Sequence, residues 1–166
     1  MFYEDVFRKL RERNVRYAVA GGVALVLHGV VRFTADLDLI VDLEQENLKR
    51  FVQVMNELGH GPRVPVRAED FLDPANRETW KREKGMEVFS FIDQSRPMSL
   101  IDVFIDEKIP YGEIERDMVH VTAKGITIPV VSISHLKRLK KAAGRPQDIA
   151  DIEALESLEK MEKGKE

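Results

Sequence analysis

The feature that most constrains the fold is a short apolar segment that runs directly into two glycines and then into a second apolar segment. Residues 17–20 are apolar and predict a buried strand that ends at Gly21 and Gly22. The next elements predicted are a helix over 23–28 that ends at Gly29, a strand of alternating residues over 37–43 and a helix over 46–58. Strand, helix, strand and helix in this order favour an α/β fold with a mixed or parallel sheet flanked by helices.

The rest of the chain continues the mixture of strands and helices. An amphipathic helix over 3–13 precedes the first strand, and residues 60–84 are the least legible stretch, with a charged helix near 75–83. Beyond it we predict two pairs of strands: 86–92 and 100–105, joined around 95–97, and 119–122 and 126–131, joined by Lys124 and Gly125. Two helices follow. The first is basic and runs from an N-cap at Ser134 to Ala143, and the last begins at Pro146 and frays from about 159.

Length and composition favour one soluble domain. The chain has 166 residues, of which 43% are hydrophobic and 33% charged, enough for a core and a solvated surface. We therefore expect a single domain over 1–166, with its core over about 15–131 and C-terminal helices over about 134–160. The absence of cysteine excludes thiolate chemistry, and the net charge of -3 does not favour general polyanion binding. No signal peptide or membrane span is recognisable, so we expect a cytoplasmic protein without a membrane partner.

Three carboxylates form the sharpest chemical pattern. Asp36 and Asp38 are separated by one residue of a predicted strand, so their side chains share a face. Asp102 lies within the apolar run 100–105, where an unpartnered carboxylate is costly. A solvated edge strand would explain the first pair alone. If neighbouring strands bring all three together, a divalent cation resolves their repulsion, and oxygen ligands of this kind suit Mg²⁺.

The two glycines supply a candidate phosphate site. A strand that turns at Gly21 and Gly22 into a helix leaves backbone N–H groups free to bind an anion, although an ordinary tight turn explains the same residues. Thirteen residues separate Gly22 from Asp36, which is enough for one helix and the return to the next strand. The phosphate site and the carboxylates would then share one end of the sheet.

This combined pattern resembles the nucleotidyltransferase superfamily of the DNA polymerase beta type. Residues 29–38 and 139–152 resemble the small prokaryotic branch that is related to AbiEii-type toxins of abortive-infection systems. The resemblance covers about 17–155 and is weakest over 60–98. The superfamily often has Gly-Ser where this chain has Gly21 and Gly22, so a hydroxyl that could hold the nucleotide is missing.

The resemblance implies a nucleotidyltransferase-fold mixed sheet with a C-terminal helical extension. It further implies transfer of a nucleoside monophosphate from a nucleoside triphosphate to a hydroxyl of an RNA end or a protein, within a toxin–antitoxin or phage-defence system that includes an antitoxin-type partner protein. Asp36 and Asp38 would hold two Mg²⁺ ions, and Asp102 would bind the metal on the nucleophile side. Gly21 and Gly22 would contact the β- and γ-phosphates.

Four further residues are candidates for nucleotide binding. Arg32 and Thr34 flank the carboxylates; Arg32 could pair with Asp36, with a phosphate or with another surface group. The resemblance implies that Lys140 and Arg145 reach the triphosphate, whereas a solvated helix face explains them equally well. The alternative function is a catalytically silent module on the same fold that senses nucleotides or binds a partner.

Overall fold

The computed structural model describes residues 3–165, and its centre is one seven-stranded sheet. The strands are β1 (Tyr17–Ala20), β2 (Leu37–Val41), β3 (His60–Pro62), β4 (Val88–Asp93), β5 (Arg96–Phe104), β6 (Val119–Ala123) and β7 (Ile126–Val130). Their order across the sheet is β3-β4-β5-β2-β1-β7-β6. β1 pairs with β7 and β2 pairs with β5 in parallel, while the other neighbours are antiparallel. The expected mixed sheet is confirmed.

Helices flank this sheet. They are α1 (Glu4–Glu12), α2 (Gly21–His28), α3 (Gln45–Glu57), a 3₁₀ helix (Ala68–Leu72), α4 (Pro74–Lys84), α5 (Tyr111–Asp117), α6 (Ile133–Ala143) and α7 (Pro146–Lys163). One face of the sheet is sealed by aromatic contacts from α3, the 3₁₀ helix and α4. Phe51 meets Phe91 edge-on at 5.6 Å, Phe71 lies 4.9 Å from Phe89, and Trp80 stacks on Phe89.

Side chains of β4 and β5 alternate between the sealed face of the sheet and the opposite face. Phe89, Phe91, Ile101 and Val103 are fully buried on the sealed face. The residues between them, among them Ser90 and Asp102, point the other way and are only half-buried. The polar site therefore lies on the face that the aromatic core leaves free.

Several predicted boundaries are wrong in detail. The N-cap of α6 is Ser132, whose hydroxyl accepts from the His135 N–H at 3.1 Å, and not Ser134, which lies inside the helix. The last helix does not fray from about 159 but continues to Lys163. The alternating strand ends at Val41 rather than 43, and the hairpin turn is confined to residues 94–95 because β5 already begins at Arg96. The strand β3, the 3₁₀ helix and α5 were not predicted.

The C-terminal helical extension is present as α6 and α7, which pack on each other. Among the described residues, no helix is both long and apolar enough to cross a bilayer.

Candidate active site

The glycine pair forms a tight elbow against two polar side chains. β1 ends at Ala20, whose partner on β2 is Asp38, and Gly21 enters α2 with a φ of +62°. A Cβ on Gly21 would collide with the Asp38 carboxylate, and a Cβ on Gly22 would lie 2.6 Å from Thr34 Oγ1. Glycine is required at both positions because the backbone passes this close to Asp38 and Thr34. The predicted phosphate site and the predicted carboxylates therefore share one end of the sheet.

Asp38 and Asp102 lie side by side on neighbouring strands. The parallel register of β2 and β5 makes them Cα partners, and Asp102 is in turn the Cα partner of Ser90 on β4. The Ser90 hydroxyl donates to Asp102 Oδ1 at 2.6 Å. Asp36 stands two residues before Asp38, outside the strand, and is exposed. The parallel register of β2 and β5 thus places Asp38 beside Asp102, and Asp36 lies just before the strand.

The electrostatics of the site follow from this crowding. Burial raises the pKa of Asp38 to about 7, and the charges of Asp102 and Asp36 push it in the same direction. Burial also raises the pKa of Asp102, with a further contribution from Asp36 and an opposing one from the Ser90 hydrogen bond. The raised pKa values show that the negative charges of this carboxylate pair are not fully compensated by nearby positive charge, which is a common property of functional sites.

A second cluster, which we call the C-terminal ion cluster, joins the elbow to α6 and α7. At its centre is Asp151, 3% exposed, which accepts from Arg32 at 2.5 Å, from Lys140 at 2.8 Å and from Gln147 at 3.2 Å. Beside it the buried Asp148 accepts from the Arg145 guanidinium at 2.9 Å and lies 3.6 Å from Lys140 Nζ. The three cations Arg32, Lys140 and Arg145 face the two anions Asp148 and Asp151, which leaves one net positive charge.

The cluster is placed to act on the elbow. The Arg32 guanidinium carbon would lie 3.5 Å from a Cβ at Gly22, so Arg32 flanks the glycines. The positive charges of Lys140 and Arg145 oppose the rise in the pKa of Asp38. The candidate residues from the sequence therefore lie in one region of the structure.

Two of those residues, Arg32 and Lys140, have partners that the sequence did not indicate. Arg32 pairs with Asp151 and not with Asp36. Lys140 is buried, so a solvated helix face is the wrong interpretation of this residue, although Arg145 has a side chain that is 75% exposed. The partner of Arg145 is Asp148, which lies in the first turn of α7.

Besides Ser90, two contributors to the site were missed. The Tyr3 hydroxyl donates to the Ala35 carbonyl at 2.5 Å, which ties the chain just before Asp36 to α1. Burial raises the pKa of Tyr3, and the charges of Asp36, Asp38 and Asp102 add to that rise. Asp151 was missed as well. Tyr3 belongs to no local motif. Asp151 lies within the segment 139–152 that carried the sequence resemblance, and its position within the apolar repeat of α7 could have marked it as a buried acid.

The three carboxylates are suitable ligands for a divalent cation, but they are not arranged as a complete metal site. Within residues 3–165, no group of three or more His, Asp or Glu side chains is arranged as a ready-made metal site. Asp38 and Asp102 are nevertheless adjacent hard oxygen donors whose pKa values are raised by burial and by the charges of neighbouring carboxylates. The donor chemistry fits Mg²⁺, and Asp36 is the exposed carboxylate nearest to the pair along the chain.

This architecture is that of the nucleotidyltransferase fold. The lincosamide antibiotic adenylyltransferase LnuA in its lincomycin-bound form has a TM-score of 0.61 and 17% identity, covering 95% of this chain and 94% of that one. ANT(2")-Ia in complex with adenylyl-2"-tobramycin has a TM-score of 0.60 and 15% identity, over 95% of this chain and 91% of that one.

A third similar structure is an antigenic nucleotidyltransferase-like protein from Paracoccidioides brasiliensis, with a TM-score of 0.57, 16% identity, and coverage of 90% of this chain and 71% of that one. No protein-family model and no curated protein matches the chain. At these identities the likeness establishes the fold.

Proposed function

We propose that this protein transfers a nucleoside monophosphate from a nucleoside triphosphate to an acceptor hydroxyl. The observation that carries the proposal is the contact between the glycine elbow and Asp38, with Asp102 directly beside Asp38 on the next strand. A triphosphate at the elbow would have the carboxylate pair next to its phosphates. LnuA is named as an adenylyltransferase and ANT(2")-Ia is described in complex with adenylyl-2"-tobramycin, which supports the same reaction class on this fold.

Asp36, Asp38 and Asp102 would hold Mg²⁺ at this site. When bound, the ion supplies charge neutralisation for the triphosphate and for the entering hydroxyl. The chain itself contributes the positions of the three carboxylates. Asp102 is held in place by Ser90, and its raised pKa suits a group that accepts the proton of an acceptor hydroxyl.

The C-terminal ion cluster would bind the phosphates from the side of the elbow that faces α6 and α7. Arg145 is largely exposed and Arg32 partly so, and guanidinium groups bind phosphate oxygens in pairs. Lys140 is buried and paired with both acids, so its role is to hold Asp151 and Asp148 in place rather than to touch the nucleotide. The backbone N–H groups at Gly21 and Gly22 complete the phosphate site.

For the biological setting, we retain a toxin-like enzyme of the AbiEii type acting in phage defence with an antitoxin-type partner. Support for it comes from residues 29–38 and 139–152, including the Arg145–Asp148 pair at the start of α7. The acceptor would be a hydroxyl on an RNA end, a protein or a small molecule, the last class because LnuA and ANT(2")-Ia are described with antibiotics.

Two observations favour a second candidate, a module that binds nucleotides without turnover. The three carboxylates do not form a ready ligand group among residues 3–165, and the chain has glycine where the superfamily often has serine. Such a module would bind nucleotides through the C-terminal ion cluster alone and would not need a divalent cation.

Calorimetric titration with each of the four nucleoside triphosphates, with and without Mg²⁺, separates the two functions. The enzyme requires Mg²⁺ for tight binding and releases pyrophosphate when an RNA or lysate fraction is added. With a radioactive α-phosphate, the wild type should label an acceptor, and Asp36→Asn should lose at least about 100-fold in labelling because one metal charge is removed.

The exposed Glu153→Gln on α7 serves as the matched control and should label like the wild type. Metal-independent binding without pyrophosphate release would support the silent module, and wild-type labelling by Asp36→Asn would remove Asp36 from the site.

A further inference from the structure

The row of site residues continues beyond Ser90 to an arginine that directly follows the outermost strand, β3. β3 and β4 are antiparallel, with Pro62 opposite Phe91, and the backbone N–H of Arg63 donates to the Ser90 carbonyl at 2.9 Å. Arg63 therefore stands opposite Ser90, as Ser90 stands opposite Asp102. Paired residues of neighbouring strands share a face, so Arg63 is on the free face that carries Asp102.

Arg63 differs from the arginines near it because it has no acidic partner among residues 3–165. Its side chain is exposed, and within residues 3–165 no Asp or Glu forms an ion pair with it. The nearby Arg67 and Arg96, by contrast, face Glu69 and Asp93. The charge of Arg63 does reach Asp102, whose pKa it lowers against the effect of burial. An unpaired guanidinium thus stands at one end of a row whose other end is the glycine elbow.

The sheet residues beside this row are only partly covered on the face that carries Asp102. Leu100 on β5 and Ile92 on β4 flank the row on the same face and are only half-buried, whereas their neighbours on the sealed face are fully buried. The elbow and the C-terminal ion cluster lie on the side of Asp38 that is away from Asp102. If the triphosphate occupies that side, the acceptor has to approach from the side of Ser90 and Arg63.

We propose that Arg63 binds a phosphate group of the acceptor, so that the enzyme selects acceptors with a phosphate near the reacting hydroxyl. This inference rests on the proposed nucleotidyl transfer, with the hydroxyl beside Asp102. A guanidinium binds phosphate through two parallel hydrogen bonds, which fixes the acceptor as well as attracting it. The same charge disfavours a polycationic acceptor such as an aminoglycoside.

Binding of defined probes tests the proposal in the presence of Mg²⁺ and a non-hydrolysable triphosphate. The phosphate probes are an RNA trinucleotide with a free 3′-hydroxyl and glucose 6-phosphate; their neutral counterparts are adenosine and glucose, and tobramycin is the polycation. We expect at least one phosphate probe to bind about 10-fold tighter than its neutral counterpart, and Arg63→Gln to abolish that difference. Binding of the trinucleotide alone would indicate that the acceptor is an RNA end. Binding of glucose 6-phosphate alone would indicate that it is a small phosphorylated metabolite.

Two further variants make the result specific. Arg63→Lys keeps the charge without the paired hydrogen bonds and should recover part of the affinity. Arg11→Gln, at an exposed position of α1, removes the same charge elsewhere and should bind like the wild type. Equal binding of phosphorylated and neutral probes, no binding of either phosphate probe, or wild-type affinity in Arg63→Gln would each overturn the proposal.

The readout also separates this inference from the reaction on which it rests. Pyrophosphate release with a neutral acceptor, unaffected by Arg63→Gln, would overturn the role of Arg63 and leave nucleotidyl transfer intact. Binding of a phosphate probe that depends on Arg63, without any pyrophosphate release, would contradict nucleotidyl transfer while retaining the anion site.

Discussion

Asp38 is the residue at which function opposes stability. Its carboxylate is packed against the backbone of Gly21, is the Cα partner of Asp102 and has a pKa raised to about 7. The raised pKa means that the folded protein favours the protonated form. Stability is therefore lost as the pH rises from the ordinary Asp pKa, about 3.9, to about 7, and the loss is complete above that.

Asp38→Asn should accordingly stabilise the metal-free protein while inactivating it. Each pKa unit corresponds to about 1.4 kcal/mol, so half of the shift gives about 2 kcal/mol and raises Tm by roughly 4–8 °C near pH 8. The gain should shrink below pH 7 and vanish near pH 4. Thermal unfolding in EDTA across this range measures it, with Glu153→Gln as the control that loses an exposed charge. An equal gain at pH 4 and pH 8 would contradict the buried charge as its cause.

At this scale the sequence predicted neighbours but not distant partners. Strand alternation is local, so it placed Asp36 and Asp38 on one face and required a partner for Asp102. The pairing of Arg32 with Asp151 joins residues 119 apart in the chain, and no pattern within either segment encodes it. The same is true of Tyr3, whose contact with Ala35 depends on how α1 packs over the sheet.

Among the elements, α7 is the one that joins the C-terminal extension to the site. Its buried Asp148 and Asp151 meet Lys140 of α6 and Arg32 of the loop before β2. This makes the position of α7 dependent on ion pairs as well as on apolar packing by residues such as Leu155. A buried ion pair stabilises little when complete but is costly to break, because the remaining charge is left without a partner.

Asp151→Asn should therefore loosen α7 and weaken nucleotide binding together. We expect the free energy of unfolding to fall by about 3 kcal/mol, since Lys140 stays buried with one acid fewer. Amide hydrogen exchange should accelerate in α7 far more than in β2 and β5. Glu153→Gln on the same helix should change neither quantity. Exchange that accelerates equally in all elements would show that the cluster stabilises the whole fold rather than α7.

The elements themselves were predictable where their periodicity was strong. β1, α2 and β2 follow from uninterrupted apolar or alternating runs, and Gly29 ends α2 in the left-handed conformation at a φ of 111°. The seven-residue helix α5 buries only Tyr111 and Ile114, which is too little to make a pattern. The N-cap of α6 falls at Ser132 because β7 ends at Val130, a constraint that comes from the sheet rather than from the helix.

For the molecule as a whole, the site is a region where the fold leaves negative charge uncompensated. β2 and β5 meet in parallel at the centre of the sheet, and both bring their carboxylates to the same end. The cations of the C-terminal ion cluster lie on one side of that end and Arg63 on the other. A divalent cation between them would relieve the repulsion, so its binding should be measurable as stability of the entire chain.

Addition of about 10 mM Mg²⁺ near pH 8 should raise Tm relative to NaCl of the same ionic strength. A concentration about ten times the dissociation constant stabilises by about 1.4 kcal/mol, or roughly 3–6 °C for a chain of this size. Near pH 5 the gain should be much smaller, because protons occupy Asp38 and compete with the metal. Asp102→Asn should lose most of the gain at pH 8 and Glu153→Gln none of it. A Mg²⁺ effect that is independent of pH and of Asp102 would place the cation elsewhere on the protein, and the nucleotidyl-transfer proposal would then lack its metal.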